Sequence, residues 1–206
     1  MLDRARGGWE TLNELPGAAM LGQLELIGGD ITAIRLGRRF DLVILAFNSL
    51  LLLDGQRERA AAFATIRRHL TADGRAVLDI WQPSAQDLEL YDGRTIEDWI
   101  KVDPETGDRV IKSTVATYDP VGHRASIRTL YDVEPATGPS HRLERKDDIC
   151  FASPDELVTE LEAAGLRVQS VMGDGTDMTL ATALTTGRVT VVAALSVHPF
   201  HTSRTN

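Results

Sequence analysis

Three polar residues stand where apolar, strand-like runs end, and their types set what chemistry is open to the chain. Asp30 closes LELIGGDIT (Leu24 to Thr32), Asn48 lies in FDLVILAFNSL (Phe40 to Leu50), and Asp79 nears the end of LTADGRAVLDIW (Leu70 to Trp81). A carboxylate accepts hydrogen bonds, so Asp30 can receive a ligand's donor or cap a turn after its strand. Asparagine is no base, and Asn48 can only orient an amine or hydroxyl, or tie down its loop. Asp79 can act as a base, orient one, or simply pair with a neighbouring backbone or arginine. Trp81, Tyr91 and Trp99 offer surface for an acceptor pocket, although core packing explains aromatics more often. His123 and His141 fall in a β-patterned stretch, and His123 is a candidate base. His198 and His201 have metal-like spacing but no companion ligands, so no metal site is expected.

The elements that must position these groups read as strand, helix, strand. Leu24 to Ile27 is expected as a short strand ending at Gly28, Gly29 and Asp30. Asp41 to Ala46 has five apolar residues in six, the pattern of a central strand covered on both faces. From Gly55 to Leu70, Phe63, Ile66 and Leu70 recur at helical spacing among arginines. Ala72, Asp73 and Gly74 then read as a turn, with Gly74 suited to a positive φ, and Arg75 to Ile80 as the next buried strand. This rhythm is that of a parallel sheet with crossover helices. Ala46 to Ser49 leave the carboxyl end of a strand, where open α/β sheets bind ligands.

Beyond Trp81 the pattern changes. Residues 82–106 read as loop with a short helix around Leu88 and Tyr91, and Asp108 to Ile149 as three antiparallel strands with turns at Asp119–Gly122 and Pro135–Pro139. Ser153, Pro154 and Glu156 supply N-cap, N1 and N3 of a helix ended by Gly165. Arg167 to Met172 and Val189 to Leu195 form a final strand pair across the loop 173–188. The expected organisation is a core of residues 1–81 and 150–196, a cap inserted at 82–149, and a tail at 197–206.

A chain of 206 residues with 43% hydrophobic and 25% charged residues holds one folded domain with room for an insertion. Net charge is −8 and no basic run appears in the sequence, which argues against a nucleic-acid partner. The single cysteine, Cys150, cannot form an intramolecular disulfide and suits the cytoplasm. No run is long and apolar enough for a membrane span. Neither GxGxxG nor GxxxxGK[ST] occurs, which counts against other nucleotide-binding enzymes.

Taken in order, residues 28–31, 40–50 and 70–80, with FASPDELVTELEAAGLRVQSVMGDG in support, resemble the class I S-adenosylmethionine-dependent methyltransferase family. The resemblance implies an α/β, Rossmann-like methyltransferase sheet with an inserted antiparallel β region. It implies S-adenosylmethionine as cofactor, with Asp30 on the adenine amine and the Ile31 N–H on the ring. Ala46 and Phe47 would flank its methionyl part. Asn48, Trp81 and Tyr91 would face a small-molecule acceptor, nitrogen slightly ahead of oxygen, and the inserted strands would cover the site or form a homodimer contact. MLDRAR resembles the start of the helix that follows the family's second strand. On that alignment the first βαβ unit, with its glycine-rich loop and ribose-binding acid, is lacking, and Gly7-Gly8 does not replace it. Two strand edges would then stand unpaired, as in a truncated gene model, a rearranged fold or a chain completed by a partner. A non-catalytic binding or scaffold subunit is the alternative function.

Overall fold

A continuous apolar run needs neighbours on two sides, and β1 (Phe40–Leu45) finds only one among the residues described. The computed structural model describes residues 6–7, 24–173, 176–178 and 188–196. Residues 1–5, Gly8, most of the loop before Arg188, and the tail with His198 and His201 lie outside them. β1 pairs in parallel with β2 (Leu70–Trp81) through the crossover helix α1 (Gly55–His69). It forms the edge of a five-stranded sheet ordered β1-β2-β9-β7-β8. Here β7 is Leu166–Gly173, β8 Thr176–Met178 and β9 Arg188–Leu195. Leu42 and Ile44 are therefore 53% and 59% exposed, and the central, doubly covered strand expected from composition is an edge strand instead. Apolar content reports what a strand is built to bury, not which neighbour covers it.

Two further expectations change. Leu24 to Ile27 is not a strand but irregular backbone leading to a turn at 31–33. Gly74 lies inside β2 and does not adopt a positive φ. Its pairing slips from Phe40↔Leu70 to Leu42↔Arg75, so residues 71–74 form a bulge. A Cβ on Gly74 would stand 2.9 Å from the Phe40 carbonyl oxygen. Close approach of β1, not chirality, requires glycine there.

Helix α1 turns Ala62, Phe63, Ile66 and the adjoining Leu70 into the core, as their spacing predicts. Its start is fixed by Glu58, whose carboxylate accepts the Asp54 N–H at 2.7 Å. Arg67 and Arg68 stand in its last turn, complementing the helix dipole. Helix α3 (Pro154–Ala163) carries the complete capping box of Ser153 and Glu156, and Gly165 ends it with φ 78°. These hydrogen bonds from Ser153 hold the Glu156 carboxyl below its ordinary range.

The segment after Trp81 holds the short helix α2 (Ala85–Glu89) and four antiparallel strands. These are β3 (Asp92–Val102), β4 (Arg109–Asp119), β5 (Arg124–Glu134) and β6 (His141–Cys150), paired in that order. β3 lies where loop is expected from sequence. It is an edge strand, polar on most of its length, so it lacks the alternation that announces a half-buried strand. The other three strands match the expected register of turns.

Both sheets meet in one core. Leu78, Ile80, Val189, Val191 and Ala193 of the first sheet pack with Phe63, Leu161 and Leu166, and with Ala125 and Ile149 of the second. At the seam Arg59 and Glu160 form an ion pair at 2.7 Å, their side chains 6% and 5% exposed, and Arg59 also reaches the Cys150 thiol at 3.7 Å. The Glu160 carboxylate outweighs burial and raises the Arg59 guanidinium's affinity for its proton.

Candidate functional site at the carboxyl ends of the parallel strands

Where β1 ends, the backbone does something that side chains resist. Phe47 and Asn48 both take left-handed conformations, with φ 56° and 59°. Two consecutive non-glycine residues there are strained and need bonds to hold them. The bonds come from β2. Asn48 Oδ1 accepts the Trp81 N–H at 2.5 Å, and Asp79 Oδ2 accepts the Phe47 N–H at a long 3.4 Å. Ser49 folds back, its hydroxyl donating to the Ala46 carbonyl at 2.6 Å. The outcome is a clasp between the carboxyl ends of two parallel strands. It leaves the Phe47 ring 86% exposed, while the Asn48 N–H2 group bonds to no described residue.

Asp30 and Ile31 lie beside β1. Asp30 Oδ1 accepts both the N–H and the hydroxyl of Thr32 at 2.8 Å, and these bonds lower its carboxyl below the usual range. Its main-chain carbonyl accepts from Ala33 and Ile34. Asp30 thus caps a turn, while Oδ2 and the Ile31 N–H make no hydrogen bond to any described residue. Ile31, Ile34 and Leu36 form one wall of an apolar groove of about 260 Å³, and Phe40 with Leu42 to Leu45 form another. The groove ends one residue short of Ala46.

Trp81 and Tyr91 come together, with ring centroids 6.3 Å apart. They belong to a larger cluster, because Phe151 meets Trp81 edge-on at 5.7 Å and Tyr118 at 6.1 Å. These four rings join the two sheets. Burial raises the Tyr91 hydroxyl above its ordinary range, and Asp87 adds to it. Trp99 stands elsewhere, against Tyr131 and Lys101 in the second sheet. Sequence reading missed Phe151 and Tyr118 as partners of Trp81. The available signal was Phe151 directly ahead of the Ala152-Ser153 cap, which fixes where that ring must sit.

His123 occupies the exposed turn between β4 and β5, with φ 50°. Its backbone carbonyl accepts the Phe151 N–H at 2.8 Å. No hydrogen bond among the described residues links its imidazole to Asn48 or Trp81. His141 is exposed at the start of β6. No cluster of metal-ligating side chains occurs among the described residues, and no described helix is long and apolar enough to cross a membrane.

No protein-family model matches this chain, and no curated protein matches it in sequence. Solved structures do match in fold. An S-adenosylmethionine-dependent methyltransferase from Clostridium acetobutylicum superposes with a TM-score of 0.72 at 15% identity, over 95% of this chain and 71% of that one. The CcbJ methyltransferase from Streptomyces caelestis gives 0.73 at 20% identity, with the same coverage of both chains. The sugar N-methyltransferase KedS8 from Streptoalloteichus gives 0.62 at 23% identity, over 82% of this chain and 61% of that one. The chain has the Rossmann-like fold of S-adenosylmethionine-dependent methyltransferases. One of these structural neighbours, KedS8, is named a sugar N-methyltransferase.

Proposed function

We propose that this chain takes part in S-adenosylmethionine-dependent methyl transfer to a small-molecule acceptor, with nitrogen favoured over oxygen. The observation that carries the reading is the clasped, left-handed Phe47–Asn48 turn at the carboxyl ends of two parallel strands, on a fold shared with such enzymes. Strain of this kind is retained where backbone must meet a ligand.

The residues present fit the cofactor. Asp30 Oδ2 and the Ile31 N–H are an adjacent acceptor and donor with no described partner, matched to an exocyclic amine and a ring nitrogen of adenine. Ala46 and Phe47 would hold the methionyl part. When bound, S-adenosylmethionine supplies a methyl group on a sulfonium, which is its own leaving group. The protein's remaining work is alignment and exclusion of water.

Asn48 has engaged its carbonyl oxygen with Trp81, and its N–H2 donors are the groups left without a described partner. It would hold a hydroxyl or carbonyl of the acceptor and leave the nucleophile's lone pair free. The Trp81–Tyr91 pair would form a wall of the acceptor pocket. His123 remains the candidate base, reachable only through an acceptor that extends toward the β4–β5 turn. The core at 1–81 and 150–196 would carry the cofactor, and the cap at 82–149 would cover the acceptor or pair two copies as a homodimer. The buried single thiol, Cys150, is compatible with a cytoplasmic setting.

Calorimetric titration with S-adenosylmethionine tests the reading, with Asp30→Ala as control. Micromolar binding that weakens about tenfold or more in the variant is expected, from loss of one charge-assisted hydrogen bond. A folded, monodisperse chain that binds neither S-adenosylmethionine nor S-adenosylhomocysteine would instead favour a non-catalytic, methyltransferase-like scaffold.

A further inference from the structure

The basic residues look scattered in the sequence, yet the fold gathers five arginines at the end of the first sheet opposite the clasp. Arg35, Arg38 and Arg39 come from the segment before β1, and Arg67 and Arg68 from the last turn of α1. Arg35, Arg38, Arg39 and Arg68 line one cavity of about 320 Å³, with Gly37 and His69. Arg39, Arg67 and Arg68 line a second of about 420 Å³, so Arg39 and Arg68 face both.

This arrangement is held in place. The Leu36 N–H donates to His69 Nε2 at 3.0 Å, which leaves the proton on Nδ1 to bond the Thr65 carbonyl at 2.7 Å. Arg39 Nη1 donates to the Leu70 carbonyl at 2.9 Å, and Arg68 Nη1 to the Ile34 carbonyl at 3.4 Å. Gly37, at φ 70°, turns the chain between Arg35 and Arg38.

Most of the charge there is not neutralised by a neighbouring carboxylate. Arg38 meets Glu25 at 2.5 Å, but Arg35, Arg39, Arg67 and Arg68 have no ion pair among the described residues. In the second sheet and its turns, by contrast, Arg94, Arg109, Arg124, Arg128, Arg142 and Arg145 each meet a carboxylate. The helix dipole accounts for Arg67 and Arg68 at the end of α1. It does not account for Arg35 and Arg39, brought from another segment, the second of them tethered by a carbonyl that leaves its charge intact. Guanidinium forks left in this state match phosphate oxygens in geometry and charge.

We propose that these arginines form a binding site for a ligand carrying two linked phosphate groups, one in each cavity, with Arg39 and Arg68 bridging them. The site is separate from the clasped edge and does not depend on methyl transfer. Its carbonyl-tethered arginines contribute free N–H donors, and Arg38 exchanges Glu25 for a phosphate oxygen when the site fills.

The test is titration of the whole chain with pyrophosphate and, separately, orthophosphate in one buffer of fixed salt. Pyrophosphate is expected to bind at least about tenfold more tightly, because it engages both cavities. The pair Arg35→Gln and Arg68→Gln is expected to weaken it about tenfold or more. The pair Arg128→Gln and Arg142→Gln, at the same net charge, is expected to leave it unchanged. Thermal melts verify that each variant folds. Should Arg68→Gln unfold the chain, Arg35→Gln alone carries the test, with a severalfold loss expected, since the Arg35 side chain has no described partner. Equal affinity for the two anions, equal losses in the two double variants, or no pyrophosphate binding by a folded chain would overturn the proposal. Binding of RNA without pyrophosphate binding would overturn it too, and would make the patch a nucleic-acid face.

Discussion

The two sheets solve the same packing problem with different means. The first buries Leu78, Ile80, Val189, Val191 and Ala193 between helices and loops, and holds the Phe47–Asn48 clasp at its strand ends. The second exposes much of its area and crosses it with ion pairs, among them Arg128–Glu144 and Arg142–Asp132. Exposed pairs gain little because water and salt screen them. The difference teaches where each kind of residue matters. Stability is expected to reside in the first sheet and the seam and the proposed function at the strand ends, with the outer face of the second sheet tolerant of change.

That contrast can be broken at several points, from large effects to small. Arg59→Met leaves Glu160 buried and unpaired at the seam, and unfolding titrations should show a loss of about 3–5 kcal/mol. Replacing both partners by leucine should recover most of that loss, and a double variant as unstable as the single one would refute the account. Leu78→Ala opens a cavity in the first sheet, and should cost about 2–5 kcal/mol by the same measurement. Asn48→Ala removes the clasp and places alanine at φ 59°, for an expected loss of about 1–3 kcal/mol. Asn48→Gly keeps the backbone permitted and should cost less, so equal losses would mean that strain is not stored there.

Ser153→Ala sharpens the comparison through pH. It should cost about 1 kcal/mol near neutrality. Glu156 has its folded carboxyl lowered by Ser153, so its contribution is full above the unfolded carboxylate range. It fades as pH falls through the folded value. The gap between wild type and variant should therefore narrow in acid, and a gap that widened would contradict the capping-box account. The smallest effect is expected from Arg142→Ala on the second sheet, with no measurable shift of the unfolding midpoint despite two hydrogen bonds to Asp132. A larger loss would place real stability on that face.

Much of the fold was legible in the chain. Helix α1 declared itself by the spacing of Phe63, Ile66 and Leu70, and α3 by Ser153, Pro154 and Glu156, because both signals are local. Strand β3 was not legible, since an exposed edge strand carries no burial pattern to read. Gly74 was noticed for the wrong reason, because its constraint is the Phe40 carbonyl oxygen 2.9 Å from its absent Cβ, an atom 34 residues away in sequence. At the candidate site, residue types near strand ends marked Asp30, Asn48 and Trp81. The bond from Trp81 to Asn48 spans 33 residues, and no spacing rule foretells it.

Residue type and nearest neighbours were enough for helices α1 and α3, the apolar inventory of the first sheet and the chemical kinds at its strand ends. The left-handed Phe47 and Asn48, the Asn48 oxygen bonded to Trp81 with its N–H2 donors unbonded, and the five arginines at one end of the sheet came from the fold. Each of those outcomes depends on groups brought together by strand pairing across long stretches of chain, where charge, hydrogen bonding and exposure are set by partners the local sequence does not contain.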